Sequence, residues 1–447
     1  MTSFVRTTSI VVMMSLVVCA PPAFAQRPRP DRPYRGLFGG NGANPNSTQQ
    51  LDVVVSLFAS YDDNLLASTS QGYVGDPRFQ QSGGYGAGNI SLDYTKRASK
   101  ATFDLSGGTG YRYYRSMDEL NGFNSFLSVG LSATLSPKTE LRISESLSYT
   151  PYYSFSPAAS IRPPAPGDIV PNNPDNPLTE EPALGAYSSL SMRRSLTRRS
   201  SLNGEYTFTY ADYRNRELPF RSWAAGGSYA YRLNTRAVMR AAYHYRRGVS
   251  GLYYANQSID TQDVEVGLDY TKRLSPSRTM ALGFMIGPSI YRSYAPTETA
   301  GGTEYQELTR HPVRGSAYLT TEIARSWSLG VNYSRGVQYT QGFSDPFFSD
   351  YVTVGVTGFV SERSRTTFGA GYNTGSVGYG TEGRGYDTVT ATAGYQYALA
   401  RWASLFVNYG YYHYLFEQSV PLPQALARGQ DRSSLSIGMN LWAPLLR

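Results

Sequence analysis

From about residue 51 onward, apolar and polar side chains alternate along one segment after another. In residues 236–246, Met239 and Tyr243 fall on one face of an extended chain, whereas Arg240 falls on the opposite face. Successive side chains of a β-strand point to opposite sides, so each segment is predicted to be a strand with one apolar and one polar face. Alternation sustained through the rest of the chain is typical of a transmembrane barrel, which has lipid outside and water inside.

The connections between these segments alternate between very short and long, which predicts a repeated hairpin. We count about 18 strands, within a range of about 16–20, in an all-β, antiparallel, up-and-down transmembrane barrel. Short periplasmic turns are predicted near residues 97–98, 137–138, 198–199, 234–235, 276–277, 325–326, 362–363 and 400–401. Long outer loops include residues 63–81, 154–184, 248–257, 293–305, 376–385 and 417–431. An even strand number places both ends of the barrel on the periplasmic side.

The polar faces indicate a hydrated lumen. A barrel of about 18 strands is wide enough to leave an aqueous channel, and many charges in a dry interior would be prohibitively costly. Facing water, the same charges cost little. The lumen-lining candidates are Asp93, Asp104, Arg112, Arg142, Glu205, Arg232, Arg240, Asp263, Glu265, Arg314 and Glu322.

Two charged residues break the alternation, because Glu145 and Arg335 fall on otherwise apolar faces. An arginine facing lipid near the bilayer midplane costs about 2–4 kcal/mol. We therefore expect these residues to lie near a rim of the barrel, or a β-bulge to shift the register around them.

The N-terminal residues predict export. Arg6, an apolar run from Ile10 to Cys19 and the sequence Ala23-Phe24-Ala25 form a secretory signal peptide over residues 1–25. Residues 26–50 are rich in Pro, Arg and Gly and have no apolar period, which predicts a disordered periplasmic tail. Residues 51–447 then form the barrel, and the predicted location is the cell outer membrane.

Composition excludes several classes of protein. The apolar run of the signal is too short to span a bilayer as a helix, and no other uncharged apolar stretch approaches 18 residues. Removing the signal leaves no cysteine for a disulfide and a formal charge of +7, from 40 basic and 33 acidic residues. The basic residues are dispersed, so we expect lipopolysaccharide and outer-membrane lipid as neighbours rather than nucleic acid. The 38 tyrosines suit the two membrane–water interfaces.

Candidate catalytic chemistry is sparse. The chain has three histidines and shows no zinc, phosphate-loop or calcium motif, so we expect no enzyme activity, no cofactor and no metal. The nearest enzyme alternative is an acyl hydrolase at the barrel rim, in which His244 or His413 would activate a serine. The simpler interpretation is that these histidines are polar residues of the rim or the lumen.

Two further features bear on the lumen. The loop 154–184 carries eight prolines between Phe155 and Gly185 and is the third long outer loop, so it either narrows the pore from inside or lies on the surface. Aromatic side chains on the polar faces could stack against sugar rings or could simply fill space. These aromatic residues are Phe58, Phe126, Tyr318, Phe406, Tyr412 and Tyr414.

The first predicted strand ends in the sequence ASYDDNLL, residues 59–66. This segment resembles the first-strand signature of the β-barrel porin type 2 family, in which a Tyr-x-Asp-Asn-like motif follows soon after the signal peptide. The resemblance implies an outer-membrane barrel linked to exopolysaccharide production, and it transfers no site residues. Outer-membrane barrels usually end in an aromatic residue, but here Trp442 is followed by five more residues. Either Gly438 to Trp442 serves as an internal assembly signal, or the last strand closes differently.

Three functions follow as hypotheses. The first is a monomeric or trimeric pore that passes polar solutes or assists exopolysaccharide export, with the barrel-assembly machinery and polysaccharide-export components as partners. The second is a structural or adhesive barrel plugged by the loop 154–184. The third is the rim hydrolase.

Overall fold

The computed structural model describes residues 48–63, 83–115, 121–150, 153–154, 177–179, 183–213, 220–250, 257–276, 278–299, 302–324, 326–338, 347–377, 385–420 and 428–446. The predicted signal peptide, all but the last residues of the predicted tail and most of the loop 154–184 lie outside these ranges. Within the described residues no helix is long and apolar enough to cross a bilayer.

The described residues form 21 strands. Their bounds are β1 Gln49–Asp62, β2 Gly83–Arg97, β3 Ala101–Tyr114, β4 Gly122–Ser136, β5 Thr139–Thr150, β6 Tyr153–Ser154, β7 Pro177–Thr179, β8 Ala183–Ser195, β9 Ser200–Tyr213, β10 Phe220–Arg232, β11 Ala237–Ser250, β12 Gln257–Ser275, β13 Arg278–Thr299, β14 Gly302–Arg310, β15 Val313–Glu322, β16 Ser328–Gln338, β17 Phe347–Ser361, β18 Ser364–Val377, β19 Gly385–Ala400, β20 Ala403–Phe416 and β21 Gly429–Leu446.

Nineteen of these strands form one sheet, and the other two, β6 and β7, form a small separate ribbon. Each strand of the large sheet pairs antiparallel with the next, and β1 pairs with both β2 and β21, which closes the ring. Strands β14 and β15 both pair with β13 and are one strand interrupted at His311 and Pro312. Proline has no N–H to donate to the ladder, which explains the interruption. The fold is therefore a closed antiparallel barrel of 18 strands, as predicted.

The short connections and the long connections lie at opposite ends of the barrel, which we call the turn end and the loop end. All eight predicted short turns fall between consecutive strands of the sheet. One predicted long loop is wrong: residues 293–305 are mostly strand, because β13 runs to Thr299 and β14 starts at Gly302. The barrel also begins at Gln49, two residues before the predicted boundary at 51.

The last strand closes the barrel with Trp442 inside the ladder. β21 pairs with β1 as far as Leu446, with one irregularity between Leu51 and Asp52. At the loop end of this seam, Arg432 Nε donates to Asp62 Oδ2 at 2.7 Å, and both side chains are almost fully buried. An ion pair taken out of water is stable only when well matched, and here it joins the two ends of the sheet.

The outward face of the barrel is apolar and the inward face is polar and aromatic. On β20, Leu405, Val407 and Tyr409 point outward and are exposed, whereas Phe406 and Tyr412 point inward and are buried. The same division holds from strand to strand because paired residues lie on the same face. The buried core of this protein is therefore the contents of its lumen.

The two predicted lapses in the pattern have different outcomes. Arg335 lies toward the loop end of β16, where its Nη1 contacts Asp350 Oδ2 of β17 at 3.0 Å. Glu145 also points outward, but β5 pairs with β8 without a shift from Thr139 to Thr150. The expected bulge is absent at Glu145, and the carboxylate lies in the middle of its strand.

Candidate functional site in the barrel lumen

By register, all eleven charged residues predicted to line the lumen lie on the inward face. Their surroundings differ, since Arg240, Asp263 and Glu265 are buried whereas Asp104, Arg142 and Arg232 are exposed. The prediction that such charges face open water is therefore wrong for the buried members. The structure pairs Arg240 with Asp269, and it places Arg314 beside both Asp263 and Glu265.

A group of paired charges lies on strands β9, β11, β12 and β15, and we call it the charged wall. Asp263 accepts a hydrogen bond from Ser289 Oγ at 2.5 Å and a second one from Arg314 Nη1. Arg314 Nε also lies 3.5 Å from Glu265 Oε1. One guanidinium thus contacts two buried carboxylates, which offsets part of the cost of removing them from water.

His244 extends the charged wall toward β9. Its Nδ1 lies 3.2 Å from Glu205 Oε1, and its Nε2 lies 3.9 Å from Glu265 Oε2. The imidazole packs against Gly226 of β10, where a side chain would collide with the ring. The histidine therefore joins a carboxylate on β9 to one on β12, a span of four consecutive strands.

A second part of the charged wall lies nearer the turn end. Arg240 Nη2 is paired with Asp269 Oδ2, and both side chains are 9% exposed. Tyr318 donates from its hydroxyl to Asp269 Oδ1 at 3.0 Å. Asp269 therefore contacts groups from β11 and β15, one on each side of its own strand.

The opposite side of the lumen is aromatic toward the loop end. Phe347 of β17 and Tyr386 of β19 have ring centroids 4.7 Å apart, in an edge-on arrangement favourable to both rings. Phe416 lies 5.8 Å from Tyr386 and 5.5 Å from Tyr414. We call the whole buried group the loop-end cluster, and it comprises Ala211, Phe347, Val377, Tyr386, Tyr412, Tyr414, Phe416 and Val420, with Phe220 packed against it.

The loop-end cluster reaches across the lumen. Ala211 belongs to β9, whereas Tyr386 belongs to β19, and eight strands separate the two in either direction around the ring. Val420, which follows β20, is part of the cluster and is 1% exposed. The cluster therefore joins opposite walls near the loop end, where an open pore would contain water.

The segment that carries Val420 is held by polar contacts. Glu417 N donates to Gly385 O at 2.9 Å, and Gly385 N donates back to Glu417 Oε2 at 3.0 Å. Arg428 Nη1 donates to the carbonyl oxygens of Glu417 at 2.7 Å and of Val420 at 3.2 Å. These bonds fix the segment over the strand ends, so Val420 is presented to the aromatic rings.

A smaller aromatic group lines the adjoining wall. Phe58 lies 6.3 Å from Tyr85 and 6.2 Å from Phe406, and Tyr85 lies 4.9 Å from Tyr114. The guanidinium of Arg112 lies over the Tyr85 ring at 5.7 Å. The inner surface from β20 round to β3 thus combines aromatic rings with charged groups such as Arg112.

The histidines do not contact a serine in the described residues. His413 Nδ1 is bonded to Asp431 Oδ1 at 2.8 Å on the outward face, and His244 faces the two glutamates of the charged wall. A nucleophilic serine needs a base within hydrogen-bond reach. In the described part of the chain, no three His, Cys, Asp or Glu side chains are placed so that they could hold a metal ion together.

The outward face carries a series of polar contacts at the loop end, one on each hairpin from β9–β10 to β20–β21. Five of them join a tyrosine hydroxyl to an aspartate across or along strands, at 2.6 to 3.4 Å. Arginines accompany several, and Arg335 also lies over the Phe348 ring. We call this series the loop-end rim, with the pairs Tyr210–Asp212, Tyr245–Asp260, Arg292–Glu307, Tyr333–Asp350, Tyr372–Asp387 and Tyr411–Asp431.

Sequence patterns identified the inward face but missed what its residues contact. The six aromatic residues predicted for the lumen all lie on the inward face, but Phe347, Tyr386 and Val420 were not among them. The alternation within β17 and β19 could have indicated the first two. Val420 lies outside any strand, so no periodicity could have indicated its burial.

No family model matches the sequence, and no curated protein matches it. Solved structures with a similar fold include Pseudomonas aeruginosa OpdQ, at 12% identity and a TM-score of 0.45, covering 89% of this chain and 98% of that one. Acinetobacter baumannii OccAB2 is 11% identical, with a TM-score of 0.46, and the match covers 89% of this chain and 98% of that one. The Pseudomonas aeruginosa outer membrane protein OpdK is 11% identical, with a TM-score of 0.41, and the match covers 88% of this chain and 99% of that one.

Proposed function

We propose that this protein is an outer-membrane channel for small polar solutes, with its loop end facing outward from the cell. The observation that carries the proposal is the closed ring of 18 strands with an apolar outward face and a charged inward face. A ring of this size is wide enough for an aqueous passage. Short turns at one end and long loops at the other are the usual arrangement in outer-membrane barrels.

The loop-end rim supports the membrane placement. Tyrosines with hydrated hydroxyls are favoured where hydrocarbon meets water, and the rim tyrosines each reach a carboxylate at that level. Arginines such as Arg335 leave part of the guanidinium exposed while paired with a carboxylate. Such groups suit the phosphates of lipopolysaccharide, which we propose as the surrounding lipid at the loop end. Export would require the barrel-assembly machinery and a cleaved signal peptide.

A solute in this channel would meet two different surfaces. The charged wall presents carboxylates and guanidinium groups that orient a polar solute, and mixed charges give weak selectivity rather than a strict filter. The loop-end cluster restricts the opposite side and the entrance. A small solute with one flat apolar face, such as a sugar ring, is compatible with both surfaces.

Assisted export of exopolysaccharide is the alternative form of this proposal. The resemblance of residues 59–66 to the porin type 2 family motivates it. A polymer would have to displace the whole loop-end cluster during its passage, whereas a small solute needs only a local gap. We therefore propose the small-solute form.

A structural or adhesive barrel with a closed lumen is the second candidate. The loop-end cluster favours it, because Ala211 and Tyr386 belong to opposite walls and are both buried. The predicted plug, the loop 154–184, lies mainly outside the described residues. In this candidate, Val420 and the surrounding rings would close the barrel instead.

Conductance in planar bilayers tests these proposals. The purified chain is compared with Val420→Ser, which weakens the loop-end cluster, and with Val407→Ser on the outward face as a matched control. We expect ion conductance from the wild type and a larger conductance from Val420→Ser only. A silent wild type with a conducting Val420→Ser variant would support the closed barrel, and silence from all three folded proteins would disprove a channel.

We further propose that the barrel has no catalytic activity. His413 is bonded to Asp431, and neither His413 nor His244 contacts a serine in the described residues. Incubation with labelled phospholipid and lipopolysaccharide should give no acyl release. Release that disappears in His413→Ala but persists in His311→Ala would establish the rim hydrolase instead.

A further inference from the structure

One carboxylate lies where a membrane barrel should present only apolar groups. The outward face of β5 consists of Leu141, Ile143, Glu145, Leu147 and Tyr149, with Glu145 at the centre. Most other described charged residues of the outward face lie toward the loop end or the turn end of their strands. Glu145 is therefore at the depth where the bilayer is most apolar.

The neighbours of Glu145 on adjacent strands do not neutralise it. Val129 of β4 and Ser188 of β8 are its partners in register, and Phe208 of β9 follows beyond Ser188. Ser188 donates from its hydroxyl to Glu145 Oε2 at 2.5 Å. A carboxyl group has room for further hydrogen bonds, and its surroundings on this face are otherwise apolar.

Facing lipid alone, this group would be unfavourable. Ionisable residues within the membrane are rare, and they usually face a protein or water and are paired. The pairing with Ser188 leaves one side of the carboxyl open toward the outside of the barrel. Among the described residues Ser188 is the polar partner of Glu145, and the open side of the carboxyl favours a second partner from outside the barrel wall.

The same sector differs from the rest of the barrel in a second way. The loop-end rim runs from the β9–β10 hairpin to the β20–β21 hairpin, but the described residues of β2 to β8 contribute no such pair. The loop end of that sector instead carries the contact between the rings of Tyr111 and Phe123, 4.7 Å apart. Below it, Thr109 and Ser125 are hydrogen-bonded on the outward face at 3.0 Å.

We propose that the outward face of β3, β4, β5 and β8 binds a second copy of this chain, with Glu145 at the centre of the contact. In a two-fold symmetric dimer the same patch meets itself. The one hydroxyl proton of Ser188 is donated to Glu145 of its own copy, so across the contact the carboxyl O–H of Glu145 donates to Ser188 Oγ of the other copy. Interhelical and interstrand polar contacts of this kind stabilise association in membranes, where apolar surface alone gives little preference. The inference rests on membrane embedding and is independent of solute conduction.

Cysteine crosslinking tests the contact in isolated membranes. The only cysteine in the sequence is Cys19, so the variants are made in a Cys19→Ala background. Leu127→Cys and Leu190→Cys place a thiol on either side of Glu145, and Phe284→Cys on β13 is the control with similar exposure. With a short bifunctional maleimide, we expect dimers from the first two variants and none from the control. Equal crosslinking of all three, or none from any, would overturn the proposal.

A second measurement separates the polar contact from simple proximity. Native mass spectrometry in mild detergent should show dimers of the wild type and of Glu145→Gln, which keeps hydrogen-bonding capacity. Glu145→Leu should lower the association constant about threefold to tenfold, the amount that a membrane hydrogen bond contributes. Retained heat-modifiable migration on gels would show that the variant is folded. A wild type that is monomeric here and in the membrane experiment would refute the dimer, and the conductance result would be unaffected.

Discussion

The charged wall and the loop-end cluster fill the interior of the same ring by different means. The wall on β9 to β15 keeps carboxylates such as Asp263 away from bulk water by placing Arg314 beside them. The cluster, mainly on β17 to β20, uses tyrosine and phenylalanine rings together with the aliphatic side chains of Ala211, Val377 and Val420. Both interiors are buried, but removing one member has different consequences in each. In the wall it leaves an unpaired charge, and in the cluster it leaves a space.

In the channel that we propose, these two regions would act on a solute in different ways. Charges on a wall can orient a solute, because their field acts at a distance in a region of low polarity. Packed rings restrict the size of a passing solute, because rings held together by short-range dispersion contacts leave little space between them. The barrel places the first along the length of one side and the second at the loop end of the other.

The largest expected effect is the loss of Arg240, which would leave Asp269 buried without its cation. Arg240→Met should lower the free energy of unfolding by about 3–5 kcal/mol, the usual result of breaking a buried ion pair. Urea titration of the protein folded in lipid vesicles measures the change. Arg142→Met is the control, since the Arg142–Glu140 pair is exposed and contributes about 1 kcal/mol or less. Equal losses in the two variants would contradict the division between buried and exposed pairs.

Removing a ring from the loop-end cluster should open space without leaving a charge. Phe347→Ala is expected to cost about 3 kcal/mol of stability, at the lower end for a buried phenylalanine. It should also raise the single-channel conductance, because water and ions enter the space. Phe368→Ala, at an outward-facing position of β18, should leave conductance unchanged. A conductance that stays constant in Phe347→Ala would show that the cluster does not limit ion flow.

A change in the charged wall should alter selectivity rather than conductance. Arg314→Gln removes the cation beside Asp263 and Glu265. It should lower the free energy of unfolding by about 2 kcal/mol, the usual effect of losing a hydrogen bond to a charged group. The reversal potential in a salt gradient should move toward cation preference, because two carboxylates lose their counter-charge. Arg232→Gln at the turn end, which is exposed, is the comparison. A larger shift in Arg232→Gln would place the selective region at the turn end.

The smallest expected effect concerns the outward surface. Arg335→Ala removes an exposed ion pair with Asp350 and should change stability by about 1 kcal/mol or less. Binding of purified lipopolysaccharide, measured by native mass spectrometry, should nevertheless weaken in this variant. Arg194→Ala at the turn end should bind as the wild type does. Unchanged binding in Arg335→Ala would remove this residue from the proposed lipid contact.

Local periodicity was sufficient for most of the fold. In β20, alternate residues such as Leu405 and Val407 are apolar, and a strand has only two faces, so the sequence predicts which side faces lipid. Short turns such as 137–138 fix the hairpin register in the same way. Where strands continue past the membrane, as at residues 293–305, the polar composition resembles a loop, and the prediction was wrong there.

The sequence by itself determined the strands, their two faces and the number of strands near 18, because each depends on neighbours along the chain. The tertiary structure decided which charges meet: Arg240 contacts Asp269, and His244 lies between Glu205 and Glu265, which depends on the stagger between strands. It also decided that Ala211 and Tyr386 belong to one cluster, because only ring closure brings opposite walls together. The tertiary structure also decided the environment of Glu145, because the uninterrupted register between β5 and β8 leaves that carboxylate on the outward face.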